Sequence, residues 1–490
     1  MRVPREFESH RFRQIDKNPL IFQGVFVFSC SNALLLHLVR HLAKMTVMAA
    51  MKVMALPLEL LSAANKTFLA LLPDLAVLPV LSAAARLARA ATLLGFVGSA
   101  YCSGCLSMQI TRVKLKNWRN FRALDIPLHA VSYLLGPNAA GKSNLLDALR
   151  FLRDISKSKG GGLQTAVAER GGISKLRCLH ARSDNEVLIE VELGSTPDKP
   201  CEWRYVLGFK AEGKGAQRIL ISNEQVWKGE TRLFARPDAQ DQQDTMLLTQ
   251  TRLEQIGANA EFRELADFFS ATVYLHLVPQ LLKFSEKIGG QRLEDDPFGQ
   301  GFLERLAKTN ERTRHARLAK ISEALKLAVP QFKELRFKKD ELGHPHLEAL
   351  YTHHRPNAGW QSEEHFSDGT LRLLGLLWSL LEGNALLLLE EPEISLNDAI
   401  VKQIPLILDR MQRHRKTRRQ IVVSTHSEAL LSNPGIDGHS IIVLQSGANG
   451  SEARTLDDEE AKLLRQGFSV AEVVLPKTRP QHVDQLGLSL

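Results

Sequence analysis

Gly136-Pro137-Asn138-Ala139-Ala140-Gly141-Lys142-Ser143 follows the apolar run Val131 to Leu135 and precedes a helix-like pattern from Ser143 to Asp154. A strand that feeds a glycine-rich turn into a helix is the opening unit of a layered α/β fold. The turn aims several backbone N–H groups and the positive end of the helix at one point, which suits a polyphosphate. The spacing is G-x-x-x-x-G-K-[ST], so Lys142 is expected to reach the β- and γ-phosphates of ATP and the Ser143 hydroxyl to sit on Mg²⁺.

The 490 residues leave room for two or three domains, and 44% hydrophobic with 24% charged residues is the balance of a soluble globular protein. A net charge of +9 would ordinarily suggest a polyanionic partner. Residues 1–107 hold 11 Lys/Arg against 5 Asp/Glu, so +6 of the total sits there and only +3 in the rest. Cys30, Cys102, Cys105, Cys178 and Cys201 form no regular disulfide framework. Cys102-x-x-Cys105 lacks the second ligand pair of a zinc site, and a reducing cytoplasm is the simplest compartment.

Residues 1–107 differ from the rest, with five of the eight methionines and Ala/Leu runs lacking clear periodicity. Three readings stay open: an upstream extension outside the fold with translation starting at Met108, a membrane or signal segment around Asn18 to Val39, or a small helical domain. Met108 to Asn117 alternates apolar and polar residues as a half-buried strand does. Strands are expected at Glu186 to Leu193, Cys201 to Phe209, Arg218 to Trp227 and Thr231 to Phe234. Helix-like spacing marks residues 250–330, without heptads, and a further β-like segment lies within Phe332 to His353.

Asn384 to Leu389 is short and apolar, and it ends in Glu390-Glu391-Pro392-Glu393. Beside a phosphate loop, the first carboxylate is expected to hold Mg²⁺ and the second to orient or deprotonate water. A second apolar strand, Gln420 to Ser424, leads into Thr425-His426-Ser427, placing His426 where it can touch the γ-phosphate or the water. Phe366-Ser367-Asp368-Gly369-Thr370-Leu371-Arg372 opens the apolar helix Leu371 to Leu381 and offers a second anion-binding terminus. One nucleotide does not need two such loops from the same subunit, so this one is expected to cap an ATP held by a partner.

Together these four motifs, in this order, resemble the ABC-type ATPase heads of the RecF, SMC and OLD group, especially stand-alone bacterial RecF-like AAA-family ATPases without long coiled coils. Leu115 to Phe121 also resembles that group's first strand and turn. The resemblance covers about residues 108–475. It implies an ABC-type P-loop NTPase head with a mixed or parallel core sheet, an antiparallel β subdomain and a short helical insertion. The corresponding division is 1–107, a doubtful extension; 108–184, the first part of the head; 185–249, β-rich; 250–331, helical; 332–475, the second part of the head; and 476–490, a tail.

Residue by residue, the resemblance implies that Arg119 and Asn120 approach the nucleotide. Gly136, Pro137, Asn138, Ala139, Ala140, Gly141, Lys142, Ser143 and Asn144 would wrap the phosphates. Ser367 and Gly369 would cap the γ-phosphate of the opposite subunit's ATP. Glu391 would be the base and His426 the switch histidine. Ser143, Glu390 and Gln164 are the expected metal-side residues, Gln164 filling the place of a glutamine that contacts Mg²⁺. Two departures stand out: Glu390 where Asp is usual, and Asn397 where related sequences often carry His.

The resemblance implies a cytoplasmic ATPase that closes as a homodimer on two ATP molecules and acts on DNA in repair or phage defence, with a separately encoded nuclease or toxin as effector. The alternatives are a transporter's nucleotide-binding subunit and an ATP-dependent scaffold with little turnover. A built-in nuclease is disfavoured, because Asp457-Asp458-Glu459-Glu460 lacks an Asp-x-Asp pair and reads as a helix start. The basic clusters Arg312 to Lys320 and Arg410 to Arg419 are the available DNA-facing segments, each equally readable as a solvated helix face.

Overall fold

The computed structural model describes residues 108–181, 184–213, 218–284, 296–352, 359–413 and 419–478. The readings on residues 1–107, including Cys102-x-x-Cys105 and the Asn18 to Val39 segment, lie outside the described residues, as do 414–418 of the second basic cluster and 479–490 of the tail. Among the described residues, no helix is long and apolar enough to cross a membrane.

The chain opens with strands β1 (Gln109–Trp118), β2 (Phe121–Pro127) and β3 (Val131–Leu135), then helix α1 (Lys142–Ser156) and the short α2 (Leu163–Glu169). Strands β4 (Val187–Gly194), β5 (Trp203–Ala211), β6 (Ile219–Lys228) and β7 (Thr231–Arg236) follow, each within two or three residues of its expected bounds. They join the first two in an antiparallel sheet of order β2-β1-β4-β5-β6-β7. On β1, Val113 and Leu115 turn inward while Arg112, Lys114 and Lys116 face out, pairing with Asp125 at 2.6 Å, Glu190 at 2.8 Å and Asp184 at 2.8 Å. The period-two alternation of the sequence is therefore a sheet with one apolar and one salt-bridged face.

Residues 250–331 are not uniformly helical. Between α3 (Arg263–Ser270) and the short α4 (Pro279–Lys283) lies strand β8 (Val273–Leu275), followed later by α5 (Phe302–Lys308) and α6 (Glu311–Ala328). Strand β8 pairs in parallel with β12 (Leu387–Glu390) and forms one edge of the central sheet. The expected helical insertion is corrected accordingly: part of it belongs to the central sheet. Strands β9 (Phe332–Lys339), β10 (Pro345–Tyr351) and β11 (Trp360–Ser362) form a small antiparallel sheet.

The chain then returns to the centre through α7 (Asp368–Leu381), β12 (Leu387–Glu390), β13 (Ile421–Thr425), β14 (Ile441–Gly447) and β15 (Gly450–Arg454). The central order is β15-β14-β3-β13-β12-β8, parallel except for the hairpin strand β15. Parallel sheets are covered on both faces. Here Leu134, Leu388, Val422 and Ile442 join the core under α1 and the antiparallel sheet. Their neighbours Leu135, Leu389, Val423 and Val443 join a second core under α6 and α7. This double burial explains the continuous apolar runs before Gly136, Glu390 and Thr425. It also brings the C-terminal ends of β3, β12 and β13 together.

The acidic run at 457–460 is a helix start, as its pattern suggests. Asp457 caps α8 (Asp458–Arg465), and Glu460 is buried on Arg454 at 2.6 Å and Lys477 at 2.9 Å. The basic clusters are partly internal. Arg314 donates to the Leu306, Ala307 and Thr309 carbonyls and stacks on Phe337, Arg317 lies over Trp378, and buried Arg419 donates to the Glu382 carbonyl at 2.8 Å. Arg314 and Arg419 hold helix ends, Arg317 covers an aromatic ring, and none of the three is a free cation.

Candidate nucleotide-binding site

The phosphate loop leaves β3 at Gly136, where any Cβ would strike the Leu444 carbonyl of β14. At Gly141 the backbone is left-handed, with φ 104°, and a Cβ would stand 2.8 Å from the Phe121 ring. Both glycines are thus required by local geometry. Asn138 to Asn144 and Glu391 line a cleft of about 290 Å³ at the N-terminus of α1.

Lys142 is buried and bent back, its ammonium donating to the Gly136 carbonyl at 2.8 Å and the Pro137 carbonyl at 3.2 Å. Burial lowers its pKa from the ordinary lysine value, against the opposing pull of Glu391, Glu393 and Glu390. Ser143 is exposed, and its hydroxyl donates to Glu390 Oε1. A hydroxyl and a carboxylate in contact beside the cleft are the hard oxygen donors that suit Mg²⁺.

Glu391 follows the end of β12 in a left-handed conformation, φ 44°, fixed by its N–H donating to the Ser424 carbonyl at 3.0 Å. For a residue with a Cβ this conformation costs about 1–3 kcal/mol, which the surrounding strands must overcome. His426, just past β13 and half exposed, places Nδ1 3.3 Å from Glu391 Oε1. Glu390, Glu391, Lys142, Ser143 and His426 are therefore gathered at adjacent strand ends and the α1 terminus.

Asn120 backs the loop without lining the cleft. Its side chain accepts from Asn144 at 2.8 Å and donates to Ser451 at 2.5 Å. Arg119 does not line the cleft either. Its guanidinium is held by Asp147 at 2.7 Å and faces a neighbouring cavity with Arg150, Asp154 and Arg170. Asp147 draws it there, away from the cleft lining.

Gln164 is also corrected. Its amide donates to the Ile219 and Thr249 carbonyls, both at 2.8 Å, and accepts from the Ile219 N–H at 3.2 Å. With its amide spent on the backbone, it stitches α2 to β6 and supplies no metal-side oxygen.

Ser367 caps α7 by accepting from the Thr370 N–H at 3.1 Å. Gly369 leaves room for the Ser395 carbonyl, which would lie 2.6 Å from an added Cβ. Ser367 is exposed, and neither residue lines the phosphate-loop cleft. Asn397 caps the next short helix through the Ala399 N–H at 2.9 Å.

Two buried side chains escaped sequence reasoning. Glu393 accepts from the Thr425 hydroxyl at 2.5 Å and the His426 N–H at 3.3 Å, and burial raises its pKa above the ordinary carboxylate value. Arg372 of α7 donates to the Glu391 carbonyl at 3.4 Å. Their presence in Glu-Pro-Glu and in the Leu-Arg after Gly369 was the available signal, since charged residues are buried only when partnered.

Residues 131–432 match the family of AAA domains described as putative AbiEii toxin, Type IV TA system. The DNA replication and repair protein RecF of Brucella abortus is 35% identical over 121 residues, 24% of this chain and 27% of that protein. RecF of Roseiflexus castenholzii is 35% identical over 92 residues, 17% and 23% of the two chains. The chain thus matches about a quarter of the length of these relatives. Among solved structures, an Smc head bound to the C-winged helix domain of ScpA aligns over 72% of this chain and 99% of that one, with 18% identity and a TM-score of 0.45. The SMC head domain from Thermotoga maritima aligns over 71% and 99%, with 14% identity and a TM-score of 0.39.

Proposed function

The chain belongs to that AAA family, and from this premise and its RecF-like stretch we propose that it is an ATPase head that binds and hydrolyses ATP, two heads closing around two nucleotides. The observation that carries the reading is the Glu391 carboxylate, which lines the glycine-loop cleft with His426 at 3.3 Å.

Bound ATP would place its phosphates on the loop N–H groups at the α1 terminus. Lys142 would exchange the Gly136 and Pro137 carbonyls for the β- and γ-phosphates, an exchange favoured because burial makes its charge seek an anion. Ser143 and Glu390 would hold Mg²⁺, which when bound neutralises charge on the phosphate oxygens. Glu391 would accept a proton from water as its oxygen bonds to the γ-phosphorus, while the bond to ADP breaks with its electrons on the β-phosphate oxygen. His426 would orient that water or the γ-phosphate. Ser367 and Gly369 do not line their own cleft, which suits capping the partner's ATP. Such positioning and charge neutralisation supply most of the acceleration in phosphoryl transfer.

A DNA substrate, in repair or phage defence with a separate effector, is the pathway reading this similarity supports. Steady-state phosphate release with Lys142→Ala as control tests the enzymatic claim: the wild type should turn over ATP with Mg²⁺ and the variant should not. Equal rates would refute it.

A further inference from the structure

Strand β8 runs parallel to β12 with Tyr274 opposite Leu388 and Leu275 opposite Leu389. Opposed residues on parallel strands share a face, and every second residue returns to it. Tyr274, Leu388 and Glu390 therefore stand on the face covered by α1. From two residues back along the sheet, the Tyr274 hydroxyl donates to Glu390 Oε2, while Ser143 donates to Oε1. The two oxygens of one carboxylate thus have different partners.

The ring itself is fixed. Tyr274 is 8% exposed, and the Arg150 guanidinium lies over it, 4.2 Å from the centroid. Arg150 lies 4.0 Å from Asp147, the carboxylate that also holds Arg119. A glutamate at a strand end has one more rotatable bond than the aspartate usual in this position, and an unheld carboxylate would spread over several rotamers.

We propose that Tyr274 is a positioning residue for Glu390, holding Oε2 so that Oε1 stays turned to Ser143 at the place where a divalent cation accompanies ATP. The proposal rests on the nucleotide-binding reading. Partners of a metal-side carboxylate are commonly worth a tenfold or greater change in metal affinity.

The test is Tyr274→Phe, which keeps the ring under Arg150 and removes only the hydroxyl. Mn²⁺ replaces Mg²⁺, and its binding to the protein with a non-hydrolysable ATP analogue is titrated by electron paramagnetic resonance. The expected result is about tenfold weaker Mn²⁺ binding, with unchanged analogue affinity in EDTA and an unchanged melting temperature. Glu390→Asp, too short to bridge Tyr274 and Ser143 together, should also weaken Mn²⁺ binding, and adding Tyr274→Phe to it should weaken it no further. Unchanged Mn²⁺ affinity in Tyr274→Phe, or fully additive losses in the double variant, would overturn the proposal. Wild-type protein that binds no analogue would instead overturn the nucleotide reading, and this proposal with it.

Discussion

His426 Nδ1 lies 3.3 Å from Glu391 Oε1, so the residue that follows β13 and the residue that follows β12 meet beside the glycine-loop cleft. Glu390 is level with Ser424 on the neighbouring parallel strand, so His426 stands one residue beyond the level of Glu391, whose backbone is left-handed at this point. Replacing His426 with Ala should lower kcat by about a hundredfold, the usual scale for one positioned proton-transfer or orienting group. ATP affinity should change little, because His426 does not line the cleft. Single-turnover rates alongside nucleotide titration separate the two effects.

Gly369 sits where an added Cβ would meet the Ser395 carbonyl at 2.6 Å. Gly369→Ala should push the start of α7 outward and spoil the contact proposed with a second copy. Turnover is expected to fall by about a hundredfold, the scale of an ångström-sized misplacement. Nucleotide binding by each head should persist. Weakened binding in proportion to turnover would place Gly369 in its own chain's site.

Gln164 bonds to Ile219 and Thr249 rather than to the metal side. Gln164→Ala should destabilise the fold by about 1 kcal/mol, since it removes hydrogen bonds to part-buried backbone groups. The Mg²⁺ dependence of turnover should stay where it is. Urea unfolding and a Mg²⁺ titration of the same protein check both halves.

Glu254 accepts from the Leu163 N–H at 2.7 Å, and burial pushes its pKa up to about 7. The unfolded chain ionises this group near 4.5. Between those values the folded state holds the extra proton, so stability falls as pH rises from about 4.5 to 7 and stays reduced above it. Glu254→Gln, which can still accept from Leu163, removes that penalty. Its advantage over wild type should be about 3 kcal/mol at pH 8 and vanish below about pH 4. Urea midpoints across that range give the sign directly.

The phosphate loop, the acidic strand and Ser424-Thr425-His426 were legible because each combines a local pattern with a local geometry. An apolar run of four to six residues ending in polar groups has few places in an α/β fold other than a central strand. Strand β8 was not legible: three residues between helices leave no room for a periodicity to declare itself. Tyr274 was missed with it, since its partner Glu390 is 116 residues away and only sheet pairing brings the two together. Gln164 misled for the opposite reason. A polar side chain after three glycines reads as free, and the backbone it satisfies comes from 55 and 85 residues further along. Arg119 likewise gave no sign that Asp147, one turn into α1, would capture it.

The central claim is that the cleft lined by Asn138 to Asn144 and Glu391 is half of a site that a second chain completes. Sedimentation velocity of Glu391→Gln with Mg²⁺ and ATP tests it most directly. The amide should bind ATP without cleaving it, so the closed state should accumulate as a dimer that reverts to monomer when ATP is withdrawn. A Glu391→Gln protein that binds ATP and stays monomeric would contradict the account.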